Sequence, residues 1–121
     1  MNSREVLCEF QVPLTYGKKR PDKSGQSVEP EVMLQIQEVL NRQFHGFTPL
    51  AKIEGGSWLD EETGLFEIED SVLFRVWVTE DRIPVLEQVV AAIGKELGQK
   101  QMALVVFESN VRRINIEDSG T

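Results

Sequence analysis

Few side chains in this sequence are equipped for covalent or metal chemistry. It has one histidine, His45, and one cysteine, Cys8. A transition-metal centre needs about three or four nitrogen and sulfur ligands, and a Cys–His or Ser–His–Asp nucleophile needs a histidine with partners, so neither is assigned. His45 falls at the end of the first helix expected below, where an imidazole suits the helix C-terminus. Asp60, Glu61, Glu62, Glu67, Glu69 and Asp70 crowd one stretch. The run Asp60-Glu61-Glu62-Thr63-Gly64 lacks the alternating Asp/Asn positions of a calcium loop, so it reads as a solvated acidic hairpin. Gly17-Lys18-Lys19-Arg20-Pro21-Asp22-Lys23-Ser24-Gly25 has the lysines of a phosphate loop but not the Walker spacing, and no helix follows it directly. Lys19 and Arg20 are its candidate contacts for an anionic small molecule, with Arg112 and Arg113 placed to join them. Glu54-Gly55-Gly56-Ser57-Trp58 is the most distinctive local run, expected to be a strand bulge with Trp58 as a core or anchoring residue. Gly98-Gln99-Lys100-Gln101 is assigned a helix stop and no chemistry. No catalytic residue, metal or cofactor is expected.

The elements that would carry these residues follow from periodicity. Val6, Cys8, Phe10, Val12 and Leu14 alternate with Glu9 and Gln11, the pattern of a strand with one buried face. Residues 15–29 lose all periodicity and read as a long flexible loop. Pro30 suits a first helical turn, and Met33, Ile36, Leu40 and Phe44 recur at three- and four-residue steps to a stop near Gly46. Leu50–Ile53 reads as a short strand, interrupted at Gly55-Gly56, and Leu65, Phe66 and Ile68 form the returning arm of a hairpin excursion near residues 55–70. Ser71–Thr79 is the clearest strand: Val72, Phe74, Val76 and Val78 share one face, and Leu73, Arg75, Trp77 and Thr79 the other. Asp81 is placed to cap a second helix through Ile83, Leu86, Val90, Ile93 and Leu97, ending at Gly98. Met102–Phe107 is apolar at nearly every position, as in a strand covered on both faces. Residues 109–121 are read as a C-terminal extension.

The order β-α-β-β-α-β over one domain, 1–121, predicts an α+β fold of the ferredoxin-like split β-α-β type, a two-layer sandwich with both helices on one face of an antiparallel sheet. The first and third strands would then be central. Their helix-averse residues, Glu9, Gln11, Arg75 and Trp77 with Leu7 and Leu73, would form the middle of an open face, with Glu9 and Arg75 paired. A monomer does not normally leave such a mixed apolar patch uncovered.

Composition narrows the partners. The chain has 121 residues, 40% of them hydrophobic and 27% charged, with a net charge of −7. That is the make-up of one globular domain, and its charge disfavours nucleic acid and anionic membrane surfaces. One cysteine in an apolar strand fits a reducing, cytoplasmic setting, and neither a signal segment nor a membrane span is read.

Gly17 followed by Arg20-Pro21-Asp22, the segment Gly46-Phe47-Thr48, Gly56-Ser57-Trp58 before the acidic Thr63-Gly64 turn, Glu69-Asp70-Ser71 entering a hydrophobic strand, and Leu97-Gly98-Gln99 resemble small bacterial domains of unknown function with a ferredoxin-like plan. The resemblance spans roughly residues 8–107. Domains of that kind have no established activity, and some begin with an export segment, which is not expected here, so the resemblance implies a fold and no catalytic residues. The expectation is a non-catalytic, homo-oligomeric domain that binds a small ligand or a partner through Glu9, Gln11, Arg75, Trp77, Lys19 and Arg20. The alternative is a small enzyme of the dimeric α+β-barrel kind, with His45, Tyr16 and Glu54 as its candidate groups.

Overall fold

The computed structural model describes residues 4–44, 46–60, 64–107, 114 and 116. The chain runs β1 (Glu5–Pro13), α1 (Pro30–Gln43), β2 (Gly46–Asp60), β3 (Leu65–Thr79), a 3-10 turn (Glu80–Arg82), α2 (Ile83–Glu96) and β4 (Leu104–Phe107). The fold is α+β: a four-stranded sheet in the order β2-β3-β1-β4, with every neighbouring pair antiparallel, and two helices. As expected, β1 and β3 are the central pair, in register from Glu5↔Thr79 to Pro13↔Ser71.

Period two in the sequence becomes two distinct faces. Val6, Cys8, Phe10 and Val12 of β1 and Phe74, Val76 and Val78 of β3 are buried. They form one core cluster with Ile36 and Leu40 of α1 and Leu86, Val90 and Ile93 of α2. Both helices therefore cover the same side of the sheet, and Phe10 stacks on Phe74 at 5.8 Å between ring centroids in the middle of that layer.

Both helices start on a proline in the first turn, where the missing N–H costs no bond. Asp81, expected to cap α2, instead lies inside the 3-10 turn, and Arg82 occupies the N-cap position. The tight turn before Ile83 sets Pro84 in the first helical turn, and this moves the helix start past the aspartate. At its other end α2 stops as the sequence predicts. Gly98 has φ +69°, and the N–H groups of Gly98 and Gln99 donate to the Lys95 and Gly94 carbonyls in a Schellman arrangement.

The β2–β3 hairpin is longer than its sequence pattern suggested. β2 begins at Gly46 rather than Leu50, and pairing with β3 continues out to Asp60↔Leu65. Two register shifts lie between Pro49 and Ala51 and between Ile53 and Gly56, the second at the paired glycines. β1 ends opposite Ser71, so the pairs from Gly56↔Glu69 outward form a two-stranded ribbon beyond the four-stranded sheet.

β4 departs from expectation in the other direction. It has four residues at a sheet edge, and Val105, Val106 and Phe107 are 51%, 39% and 38% exposed. Its unbroken apolar run marks a strand that the described residues leave open rather than one they cover on both faces. Met102 precedes the strand and lies against α2: a Cβ on Gly94 would come within 2.6 Å of Met102 Cγ.

Residues 15–29, read as flexible from composition, carry a dense set of backbone bonds. Thr15 bridges Ser27, Tyr16 donates to the Gln26 carbonyl, and Gly25 donates to the Tyr16 carbonyl. The loop also seals the end of α2. Gly17 and Lys19 donate N–H bonds to the Leu97 and Gly98 carbonyls at 2.8 and 3.0 Å, and the Arg20 guanidinium reaches the Glu96 carbonyl at 3.1 Å. Two glycines make this approach possible, since a Cβ on Gly17 would lie 2.4 Å from the Gly98 oxygen.

Candidate functional site

The outward face of the sheet is assembled by pairing register alone. Residues directly opposite each other share a face, so Gly46, Trp77, Leu7 and Phe107 form one row across all four strands. Thr48, Arg75, Glu9 and Val105 form the next row, and Leu73 and Gln11 the third. The Trp77 indole lies beside Gly46, whose added Cβ would sit 3.5 Å from Trp77 Cε3.

The polar residues of this face pair with one another. Arg75 donates from Nε and Nη2 to the same Glu9 oxygen, at 2.9 and 2.5 Å. Ser71 Oγ donates to Gln11 Oε1 at 2.9 Å. The expected Glu9–Arg75 pair is present, and the middle of the face is an internally neutral spot between the apolar Trp77–Leu7–Phe107 row and Leu73. Trp77, Leu7 and Leu73 are only half-buried, and Val105 and Phe107 more exposed still.

Lys19 and Arg20 belong elsewhere, on the helix layer at the end of α2. Arg20 is held by Asp22 at 3.0 Å and Glu96 at 3.3 Å and lies 5.2 Å from the centroid of the Tyr16 ring. Tyr16, itself buried, donates its hydroxyl to Glu29 at 2.5 Å, and Lys23 Nζ reaches the other Glu29 oxygen at 3.2 Å. The bond to Tyr16 and the Lys23 ammonium hold the Glu29 carboxyl below the ordinary carboxylate range, and the same bond raises the Tyr16 phenol. Glu29 stands at the N-cap of α1, yet its side chain makes no cap bond there. It serves the loop instead.

The groups named for the enzyme alternative engage separate partners. Tyr16 is bonded to Glu29, whereas Glu54 sits 3.7 Å from Lys52 on β2. His45, Arg112 and Arg113 lie outside the described residues, as do Glu61, Glu62 and Thr63 of the acidic turn, and nothing is described of the Trp58 side chain. Among the described residues no group of three or more His, Cys, Asp or Glu is arranged to hold a metal ion, and no helix is long and apolar enough to cross a membrane.

Sequence reasoning missed one feature. An open groove of about 400 Å³ runs between the second half of α2 and the α2–β4 connection, lined in part by Gly94, Lys95, Lys100 and Met102. Its signal in the sequence was the glycine inside the helix, Gly94, which marks a close approach by another segment. No protein-family model matches this chain, and no curated protein matches it at a significant level.

Proposed function

We propose that the chain is a non-catalytic binding domain, cytoplasmic and homo-oligomeric, of the ferredoxin-like split β-α-β plan, and that the outward sheet face is where a second copy sits. The strand order β2-β3-β1-β4 with antiparallel neighbours supports the plan. The observation that carries the functional reading is the Trp77–Leu7–Phe107 row, which crosses the face on three adjacent strands. Glu9 and Arg75 already satisfy each other, so two such faces in contact leave no charge without a partner, and two-fold assemblies of this kind are the commonest oligomers.

Native mass spectrometry of the purified protein tests this reading. Trp77→Ala removes the largest member of the row and is expected to raise the dissociation constant of a dimer by about 30-fold or more, the effect of losing an interface anchor of roughly 2 kcal/mol. Its circular dichroism should match the wild type. A wild-type protein that stays monomeric at every concentration, or a dimer whose mass and affinity ignore Trp77→Ala, overturns the proposal.

A further inference from the structure

Residues 15–29 hold the beginning of one helix and the end of the other. Their neck is closed by backbone bonds, Tyr16 N–H to the Gln26 carbonyl and Val28 N–H to the Leu14 carbonyl, both at 2.8 Å, so the chain between forms a compact loop whose ends lie together. On one side the Gly17 and Lys19 amides and the Arg20 guanidinium occupy the Leu97, Gly98 and Glu96 carbonyls at the end of α2. On the other side Glu29 stands at the N-cap of α1. Its carbonyl accepts the Val32 and Met33 amides, and its carboxylate is taken by the loop.

Tyr16 joins the two sides. The residue is 2% exposed, with the Arg20 guanidinium 5.2 Å and Lys23 Nζ 5.0 Å from its ring centroid, and its hydroxyl donates to Glu29. The same Arg20 reaches the Glu96 carboxylate on α2 at 3.3 Å and Asp22 at 3.0 Å. A continuous series of contacts, Glu96–Arg20–Tyr16–Glu29, therefore runs from α2 to α1, and Lys23 closes it a second time onto Glu29 at 3.2 Å. The first turn of α1 adds the carboxylate of Glu31 to this neighbourhood. Every cation of the series is held by a carboxylate.

We propose that residues 15–29 are a carboxylate-latched clasp, which opens as one unit when Glu29 and Asp22 are protonated and releases the first turn of α1 and the last turn of α2 together while the sheet stays closed. Glu29 accepts both its bonds as the ionised acid. A proton on it turns one acceptor oxygen into a donor and removes its attraction for Lys23. Asp22 loses its hold on Arg20 in the same way. The bonds from Tyr16 and Lys23 keep the Glu29 carboxyl below the ordinary range, and the Arg20 bond does so for Asp22, so the closed state is complete above that range and weakens as pH falls through the lowered values. The clasp needs nothing from the sheet face and does not rest on the association proposed there.

Amide hydrogen exchange tests the clasp, read by NMR between about pH 3 and pH 7 and corrected for the intrinsic rate at each pH. In the wild type, protection of Gly17 and Lys19 in the loop, Val32 and Met33 in α1, and Gly98 and Gln99 in α2 should fall together by about tenfold or more at the acid end. Amides of the β1–β3 ladder should keep theirs. Glu29→Gln, a neutral acceptor of the same shape, should lower protection about tenfold in all three places at neutral pH and remove most of the acid dependence. Tyr16→Phe, which keeps the ring and deletes the hydroxyl, should match it at neutral pH. The wild-type series decides the coupling without any substitution, and Glu29→Gln assigns it. Three results overturn the proposal: a loop that loses protection in acid while both helix ends keep theirs, a β1–β3 ladder that loses protection in step with the loop, or an acid dependence that Glu29→Gln leaves intact.

Discussion

Gly25 and Gly98 separate two costs that glycine substitution usually mixes. Both have positive φ, +79° and +69°. A Cβ on Gly25 meets nothing within 4 Å, whereas one on Gly98 meets Arg20 N at 2.7 Å and the Gly17 oxygen at 2.8 Å. Gly25→Ala should therefore lose about 1 kcal/mol of stability, the backbone cost alone. Gly98→Ala should lose that and at least about another 1 kcal/mol as the loop is pushed from the helix. Urea denaturation measures both, and equal losses would mean that the loop–helix approach contributes nothing. The Tyr16–Glu29 bond makes a separate prediction in pH. The folded pKa of Glu29 is depressed, so its contribution is complete above the ordinary carboxylate pKa and is lost as pH falls through the lower, folded value. Tyr16 has the opposite sign: its folded pKa is raised, so its contribution is present below the ordinary phenol pKa and is lost as pH rises through the folded one. Tyr16 is the only tyrosine, so phenolate absorbance reports it directly. Glu29→Gln should bring that titration back toward the ordinary phenol value.

Among the elements, the ribbon beyond β1 is the least supported. An isolated two-stranded hairpin is marginally stable in water, and among the described residues the pairs Gly56↔Glu69 to Asp60↔Leu65 have no third strand beside them. Deleting residues 57–68 and closing the strands with Asn-Gly is expected to leave the four-stranded sheet cooperatively folded, as circular dichroism and a single urea transition would show. A non-cooperative transition would make the ribbon part of the core. Along β3 the even positions Phe66 and Ile68 continue the register of Val72, Phe74, Val76 and Val78 past the end of β1. This continuity explains what the sequence revealed and what it hid. Strict alternation in β1 and β3 identified both faces of the central pair and the Glu9–Arg75 contact, because period two leaves one solution once a face is buried. Alternation in β2 is broken by Pro49 and the Gly55-Gly56 shift, so a single long strand looked like two short ones. The groove was hidden for another reason: Val90, Gly94, Lys100 and Met102 converge only when the α2–β4 connection folds back on the helix, and helical spacing contains no information about that return. Polarity misled at residues 15–29, where the ordering bonds run through backbone N–H and C=O groups that composition does not register.

For the whole molecule, charge and apolar surface act in opposite directions. Two copies at −7 each repel at long range, whereas the Trp77–Leu7–Phe107 row attracts only on contact. Association should therefore tighten as salt rises, and sedimentation at low and high ionic strength would show it. A contact held by exposed ion pairs would weaken instead. The central strand carries a further consequence in Cys8. It is fully buried between β3 and β4 under the helices, and burial raises its thiol pKa. In the closed fold its sulfur is out of reach of an alkylating reagent. Timed labelling under native conditions would then count how often the core between sheet and helices opens, a clock that needs no melting transition to read.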